Sequence, residues 1–215
     1  MPGTRVLFEN DRIKVWDMIV PPDEAMPAHT HTLPYFYTVV EPGAMRFGES
    51  SWRPRDGETA FYAIEAGQPK HDPRMVNEGA TRHREIVVEL KLRPVNGYDH
   101  SNVHTGARRD GTTPPSDAVG THRLFENDRV RVWDLRLKPG DRLGRHLHKV
   151  DNFFVMLSGG LIRFENPDDS TDFKDVQFVD DRVTFVNVPP EGKIDNRLEN
   201  IGTKAHRNLL IELLA

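Results

Sequence analysis

The chain has 215 residues, 29% of them charged, and a net charge of −4, a size that allows one large domain or two of about 100 residues. Basic residues are scattered rather than gathered on one face, which argues against a nucleic-acid partner. Cysteine is absent, so disulfides and thiolate metal sites are excluded and only histidine and oxygen donors remain.

The first patterned segment, Arg12-Ile13-Lys14-Val15-Trp16, alternates with the period of a strand. Turn signals follow at Pro21-Pro22-Asp23, Glu41-Pro42-Gly43 and Asp56-Gly57. Between the first two lies His29-Thr30-His31, then a run apolar on both faces that includes Phe36 and Val40. An apolar strand, Glu85 to Leu90, closes this half. Residues 96–120 are rich in Gly, Pro, Ser, Thr and Asp and read as a linker strapped across one barrel. Strand-like alternation resumes at Arg129-Val130-Arg131-Val132-Trp133, with turns at Pro139-Gly140-Asp141 and Ser158-Gly159-Gly160 and a closing strand from Asn208 to Leu213. No segment carries a helical period with caps.

These elements form a repeat. Leu7 to Arg12 recurs as Leu124 to Arg129, and His29-Thr30-His31 as His146-Leu147-His148, at an offset of 117. From position 5 to 47 the halves align without a gap and 16 of 43 positions are identical. Asn77-Glu78-Gly79 then matches Asn200-Ile201-Gly202 at an offset of 123, so six extra residues fall in the second half, within 166–175. A unit this long is a domain rather than a solenoid repeat. The expected organisation is a barrel over 1–95, a linker over 96–120 and a barrel over 121–215, each an all-β jelly roll.

The chain resembles the cupin family. His146-Leu147-His148, with Gly140 six residues before the pair and Gly159 eleven after it, fits the first cupin motif. The first half keeps His29 and His31 but has Asp23 at the glycine position. The second motif is eroded: His71 comes one residue late after Gly67-Gln68-Pro69-Lys70, and Pro190 to Asp195 has no histidine. The opening Leu-Phe-Glu-Asn-Asp-x-x-x-Val-Trp-Asp run also resembles small bacterial cupins named for β-alanine degradation. The resemblance implies two tandem cupin barrels, a bicupin.

Residues two apart on a strand share a face, with Cα atoms about 6.7 Å apart, so each His-x-His pair can converge on one metal ion. In cupins a third ligand comes from the second motif and often a fourth from a glutamate, whose position is held here by Tyr35 and Asn152. By that resemblance the candidate metal ligands are His29, His31 and His71 in the first half, an all-histidine facial set, and His146, His148 and Asp195 in the second. Iron, zinc, nickel and copper all suit such sets. Residues in step with the glutamate position are expected to line the pockets: Tyr35, Tyr37 and Val39, against Asn152, Phe154 and Met156. His83 and His206 are expected to be structural.

Three functions are consistent with these residues. The first is a metal-dependent, oxygenase-like enzyme acting on a small carboxylate or dicarbonyl compound. The second is a small-molecule binding or sensing protein with a degenerate site, and the third, ranked last, a metal-independent isomerase or epimerase. The expected partner is a small organic ligand. With no stretch near the ~20 apolar residues of a membrane span and no apolar signal core after Met1, no membrane partner and a cytoplasmic location are expected. The doubly apolar strands suggest a homodimer or a tightly packed barrel pair.

Overall fold

A computed structural model of the chain describes residues 1–65, 67–91, 116–166, 169 and 171–214. The chain divides into two compact units, Met1–Val95 and Asn96–Ala215. Every regular element among the described residues is a strand.

The first unit contains β1 (Arg5–Glu9), β2 (Ile13–Val20), β3 (Ala25–Met26), β4 (His29–His31), β5 (Tyr35–Glu41) and β6 (Met45–Phe47). It continues with β7 (Ser50–Trp52), β8 (Thr59–Tyr62), β9 (Lys70–Asp72), β10 (Met75–Asn77) and β11 (His83–Leu90). A five-stranded sheet has the order β1-β2-β11-β5-β8, a four-stranded sheet the order β3-β10-β6-β7, and β4 pairs with β9 alone. Met18, Val20 and Val87 from the larger sheet meet Met26, Met45 and Met75 from the smaller one in a single apolar cluster, so the core lies between the sheets.

The second unit repeats the plan strand for strand. Its elements are β12 (His122–Glu126), β13 (Val130–Leu137), β14 (Arg142–Leu143), β15 (His146–His148), β16 (Asn152–Ser158) and β17 (Gly160–Glu165). They are followed by β18 (Phe173–Phe178), β19 (Val183–Val186), β20 (Lys193–Asp195), β21 (Leu198–Asn200) and β22 (His206–Leu213). The sheet orders are β12-β13-β22-β16-β19 and β14-β21-β17-β18, with β15 paired to β20. The hairpin β17–β18 is longer than its counterpart β6–β7, which is where the extra residues of the second half enter.

Local chemistry explains why the duplicated residues serve both units. Asn77 donates its amide to the carbonyls of Val20 (2.9 Å) and Thr81 (2.8 Å) and accepts from the Gly79 amide (3.0 Å), tying the turn before β11 to β2. Asn200 does the same with Leu137, Lys204 and Gly202. The lost motif glycine of the first half is also accounted for: Asp23 adopts φ 62° where Gly140 adopts φ 84°, a left-handed conformation that a short polar side chain tolerates. The central strands β11 and β22 are buried along almost their whole length.

Most of the expected linker, up to residue 115, and its strap across a barrel lie outside the described residues. Residues 116–120 pack as part of the second unit. The Ser116 carbonyl accepts from the Leu147 amide at 3.0 Å, Val119 is buried, and Gly120 abuts Trp133 as Gly3 abuts Trp16, each leaving only 2.7 Å for an added Cβ. The folded part of the second unit therefore begins before the expected residue 121.

Candidate metal centres

The antiparallel pair β4–β9 places His29 opposite Asp72, Thr30 opposite His71 and His31 opposite Lys70. Facing residues of a strand pair share a side and neighbours alternate. His29, His31 and Asp72 therefore project together, and His71 projects with Thr30 to the other side. There it is exposed, its Nδ1 2.8 Å from the Thr30 hydroxyl. The expected all-histidine set is thus corrected: the residue beside the pair is Asp72, one position further along a strand whose parity turns His71 outward.

In the second unit β15–β20 has the same register, with His146 opposite Asp195 and His148 opposite Lys193. His146, His148 and Asp195 come together as expected. In each unit two imidazole nitrogens and one carboxylate oxygen lie within 4.8 Å of one another, so each group could hold a metal ion. His31 Nε2 is 3.3 Å and His29 Nε2 3.8 Å from Asp72 Oδ2; His148 Nε2 is 3.4 Å from Asp195 Oδ2. The imidazole rings are 5.1 Å apart at 68° in the first pair and 5.0 Å apart at 72° in the second.

The first histidine of each pair is held in the tautomer a metal needs. His29 Nδ1 lies 3.0 Å from the Pro27 carbonyl and His146 Nδ1 2.9 Å from that of Gly144. A carbonyl only accepts, so the ring proton sits on Nδ1 and Nε2 keeps its lone pair toward the carboxylate. Burial pushes both rings below the usual histidine range, which favours the neutral, ligating form. His31 differs: burial opposes its charge, but Asp72 and Glu89 outweigh it and raise its pKa. Its Nδ1 has no hydrogen bond and stands 3.9 Å from Glu89 Oε1, a carboxylate that also accepts the Trp16 indole proton at 2.7 Å. Two nitrogens, one carboxylate and such outer partners suit a first-row divalent metal.

Tyr35 occupies the position where the family resemblance places a glutamate. Burial raises its pKa, and the nearby Asp72 charge adds to this. The hydroxyl stays protonated and donates to Asp72 Oδ2 at 3.1 Å, while the ring lies flat on His31. Asp72 is held well below the usual carboxylate range: burial works against its charge, but His31 and Lys70 prevail. Asp195 is lowered in the same way by His148 and Lys193. Asn152, the counterpart of Tyr35, donates to the Val150 carbonyl at 3.1 Å and lies 3.4 Å from His148 Nδ1.

The surroundings of the two centres diverge. The first opens on a cavity of about 390 Å³ and the second on one of about 70 Å³. Tyr35 and Tyr37 line the first; Val39 is fully buried but does not reach it. Asn152, Phe154 and Met156 line the second. His83 and His206 are buried. His83 accepts the Gly43 amide on Nδ1 at 3.2 Å and faces Glu85 at 2.9 Å through Nε2.

Four residues escaped the sequence reading: Asp72, Glu89, Glu85 and Lys70. Three carried a usable signal, because Lys70 and Asp72 match Lys193 and Asp195 at the offset of 123, as Glu89 matches Glu212. Glu85 has no such signal, since its counterpart is Asn208.

No protein-family model and no curated protein sequence matches the chain. Solved structures do. A cupin domain from Bordetella pertussis is 21% identical, with a TM-score of 0.39, covering 48% of this chain and all of its own. A salicylate 1,2-dioxygenase from Pseudaminobacter salicylatoxidans is 15% identical, with a TM-score of 0.51, over 98% of this chain and 77% of that one. An oxalate decarboxylase from Bacillus subtilis, described with Mn(II) centres, is 11% identical, with a TM-score of 0.51, over 94% and 69%. At these identities the likeness is one of fold. Two facing-sheet units of equal plan, each with a His-x-His strand at the mouth of a cavity, define a duplicated β jelly roll. The fold is that of the cupins, in two tandem copies.

Proposed function

We propose that the chain is a metal-dependent, non-haem oxygenase-like enzyme acting on a small carboxylate or dicarbonyl compound, with His29, His31 and Asp72 as its working metal ligands. The observation that carries this reading is the pairing of a three-donor group with a cavity of about 390 Å³ in the same unit. A divalent transition metal bound there would supply Lewis acidity and, as ferrous iron, electron transfer to dioxygen.

The chain's own residues provide the rest. Three protein donors leave open positions for exchangeable ligands. Lys70, paired with Asp72, adds positive charge at this end of the cavity, which favours an anionic group on the substrate. Tyr35 fixes Asp72 and His31 through its hydroxyl and its ring face. The aromatic walls exclude water from whatever binds. The second group, His146, His148 and Asp195, repeats the donors beside a cavity with room for only a few waters, and we assign it metal binding without turnover.

Elemental analysis of the purified chain, beside His29→Ala/His31→Ala and His146→Ala/His148→Ala variants, tests this assignment. Iron, zinc, nickel or copper should fall in each variant, and oxygen uptake with small carboxylates and β-dicarbonyls should vanish only in the first. A native protein that takes up no metal after reconstitution would reduce the chain to a ligand-binding barrel.

A further inference from the structure

Glu85 is a buried carboxyl group on the wall of the first cavity. Its polar partner among the described residues is His83. Because His83 Nδ1 accepts from the Gly43 amide, the ring proton sits on Nε2 and is donated to Glu85 Oε1. That bond satisfies part of one oxygen, while a carboxylate offers about four acceptor sites on two. Burial raises the Glu85 pKa against the effect of His83, so the group is held in a place that disfavours its charge unless a cation arrives.

Aromatic rings surround the same space. Tyr37 and Trp52 meet edge to face at 5.8 Å, Tyr62 stacks at 6.3 Å from Tyr37, and Phe47 lies 5.9 Å from Trp52. Trp52, Tyr37, Tyr62 and Phe47 all line the cavity. Ring faces next to a buried carboxylate form a receptor for a cationic nitrogen.

Glu85 lies at the other end of one strand face from the metal end, within electrostatic reach of Asp72. Glu85, Val87 and Glu89 follow one another on the same face of β11, paired with Val39, Tyr37 and Tyr35. Glu89 stands by His31, so about 13 Å of strand separates the two ends, at about 3.3 Å per residue. One end carries the histidines and Lys70, and the other a carboxyl group. The second unit lacks this polarity: Asn208 replaces Glu85, Phe154 replaces Tyr37, and Val186 takes the place of Tyr62 opposite Asn152.

We infer that the first cavity binds a ligand carrying a cationic nitrogen, which Glu85 and the rings of Tyr37, Trp52 and Tyr62 receive at the end remote from the metal ligands. This deepens the reading given above and rests on the first unit being the one that takes the substrate. Together the two ends select an amino-carboxylate or an amino-substituted dicarbonyl, extended over several carbons.

The test uses n-butylammonium chloride, with n-butanol as the neutral isostere, titrated into the purified full chain at matched ionic strength. Tryptophan fluorescence reads binding, and Trp52→Phe assigns the signal. Butylammonium should bind at least tenfold more tightly than butanol, and Glu85→Gln should remove that preference. Equal binding of the two probes by the unaltered chain overturns the inference, whatever the variant does. Running the same titration after chelator treatment separates the two readings: the ammonium preference should survive metal removal, so failure of the metal assignment leaves it standing.

Discussion

Tyr35 lies flat against His31, with ring centroids 3.6 Å apart and planes 7° from parallel. The stack fixes the imidazole from one side while the Tyr35 hydroxyl fixes Asp72. The two contacts can be separated. Tyr35→Phe keeps the ring and should change zinc affinity only a few-fold, whereas Tyr35→Ala should weaken it by about 10-fold, as removal of outer support around a metal does. Chelator-competition titration measures both, and equal losses would refute a role for the stack.

The outward turn of His71 and the inward turn of Asp72 make opposite demands on two neighbouring positions. Asp72→Asn should weaken metal binding at the first centre by about 100-fold, at the upper end of what disruption around a metal costs. His71→Ala should leave it unchanged. The comparison is best made in the His146→Ala/His148→Ala background, where only the first centre remains to be titrated. A loss in His71→Ala as large as in Asp72→Asn would reject the assignment.

Asp17 is fully buried and accepts from the Arg84 guanidinium at 2.7 and 3.2 Å and from Arg5 at 2.8 Å. Asp134 meets Arg207 in the corresponding place, at 2.9 and 3.1 Å. Removing one member of such a pair strands the other charge away from water. Asp17→Ala should therefore destabilise the first unit by about 3–5 kcal/mol, read as a lower urea midpoint with the slope unchanged. A shift under ~1 kcal/mol would mean that the pair is solvated.

Burial holds the His206 imidazole down to about 4, below the value of about 6.5 expected in the unfolded chain. Between these values the unfolded chain takes up a proton that the folded chain refuses. The stability contribution is therefore complete above about pH 6.5 and is lost as the pH falls toward 4. His29 and His146 are shifted in the same direction, so the wild type should weaken in acid for more than one reason. His206→Phe isolates one of them: relative to wild type it should recover about 2 kcal/mol of the loss between about pH 7 and pH 5. Parallel pH profiles for the two proteins would place His206 outside this linkage.

Much of the architecture was legible because duplication wrote it twice. His29-x-His31 and His146-x-His148, the paired Asn-x-Gly turns and the closing apolar strands align by eye, and each alignment points to a strand or turn that both units build. The third candidate donor of the first unit is misplaced by the sequence for a local reason. His71 attracted attention as a histidine near a worn motif, but on a strand one position is the difference between two faces. The repeat itself held the answer in Lys70-x-Asp72 and Lys193-x-Asp195. Glu85 could not be found that way, because what distinguishes it is its divergence from Asn208. Cavity size was equally illegible, since it depends on how the side chains from β5, β7 and β8 leave room between them.

Asp72 and Asp195 sit at the same point of the same ladder, beside histidine pairs whose ring geometry is almost superimposable. One polypeptide thus contains a matched pair of centres in which donors and register are held constant while the adjoining space varies more than fivefold, from about 70 to about 390 Å³. A property governed by the ligands should appear twice, with similar strength. A property governed by the space should appear once. Each measurement on this chain therefore has its reference built in, and residues can be exchanged between the two candidate centres to learn what the adjoining space adds to a shared set of donors.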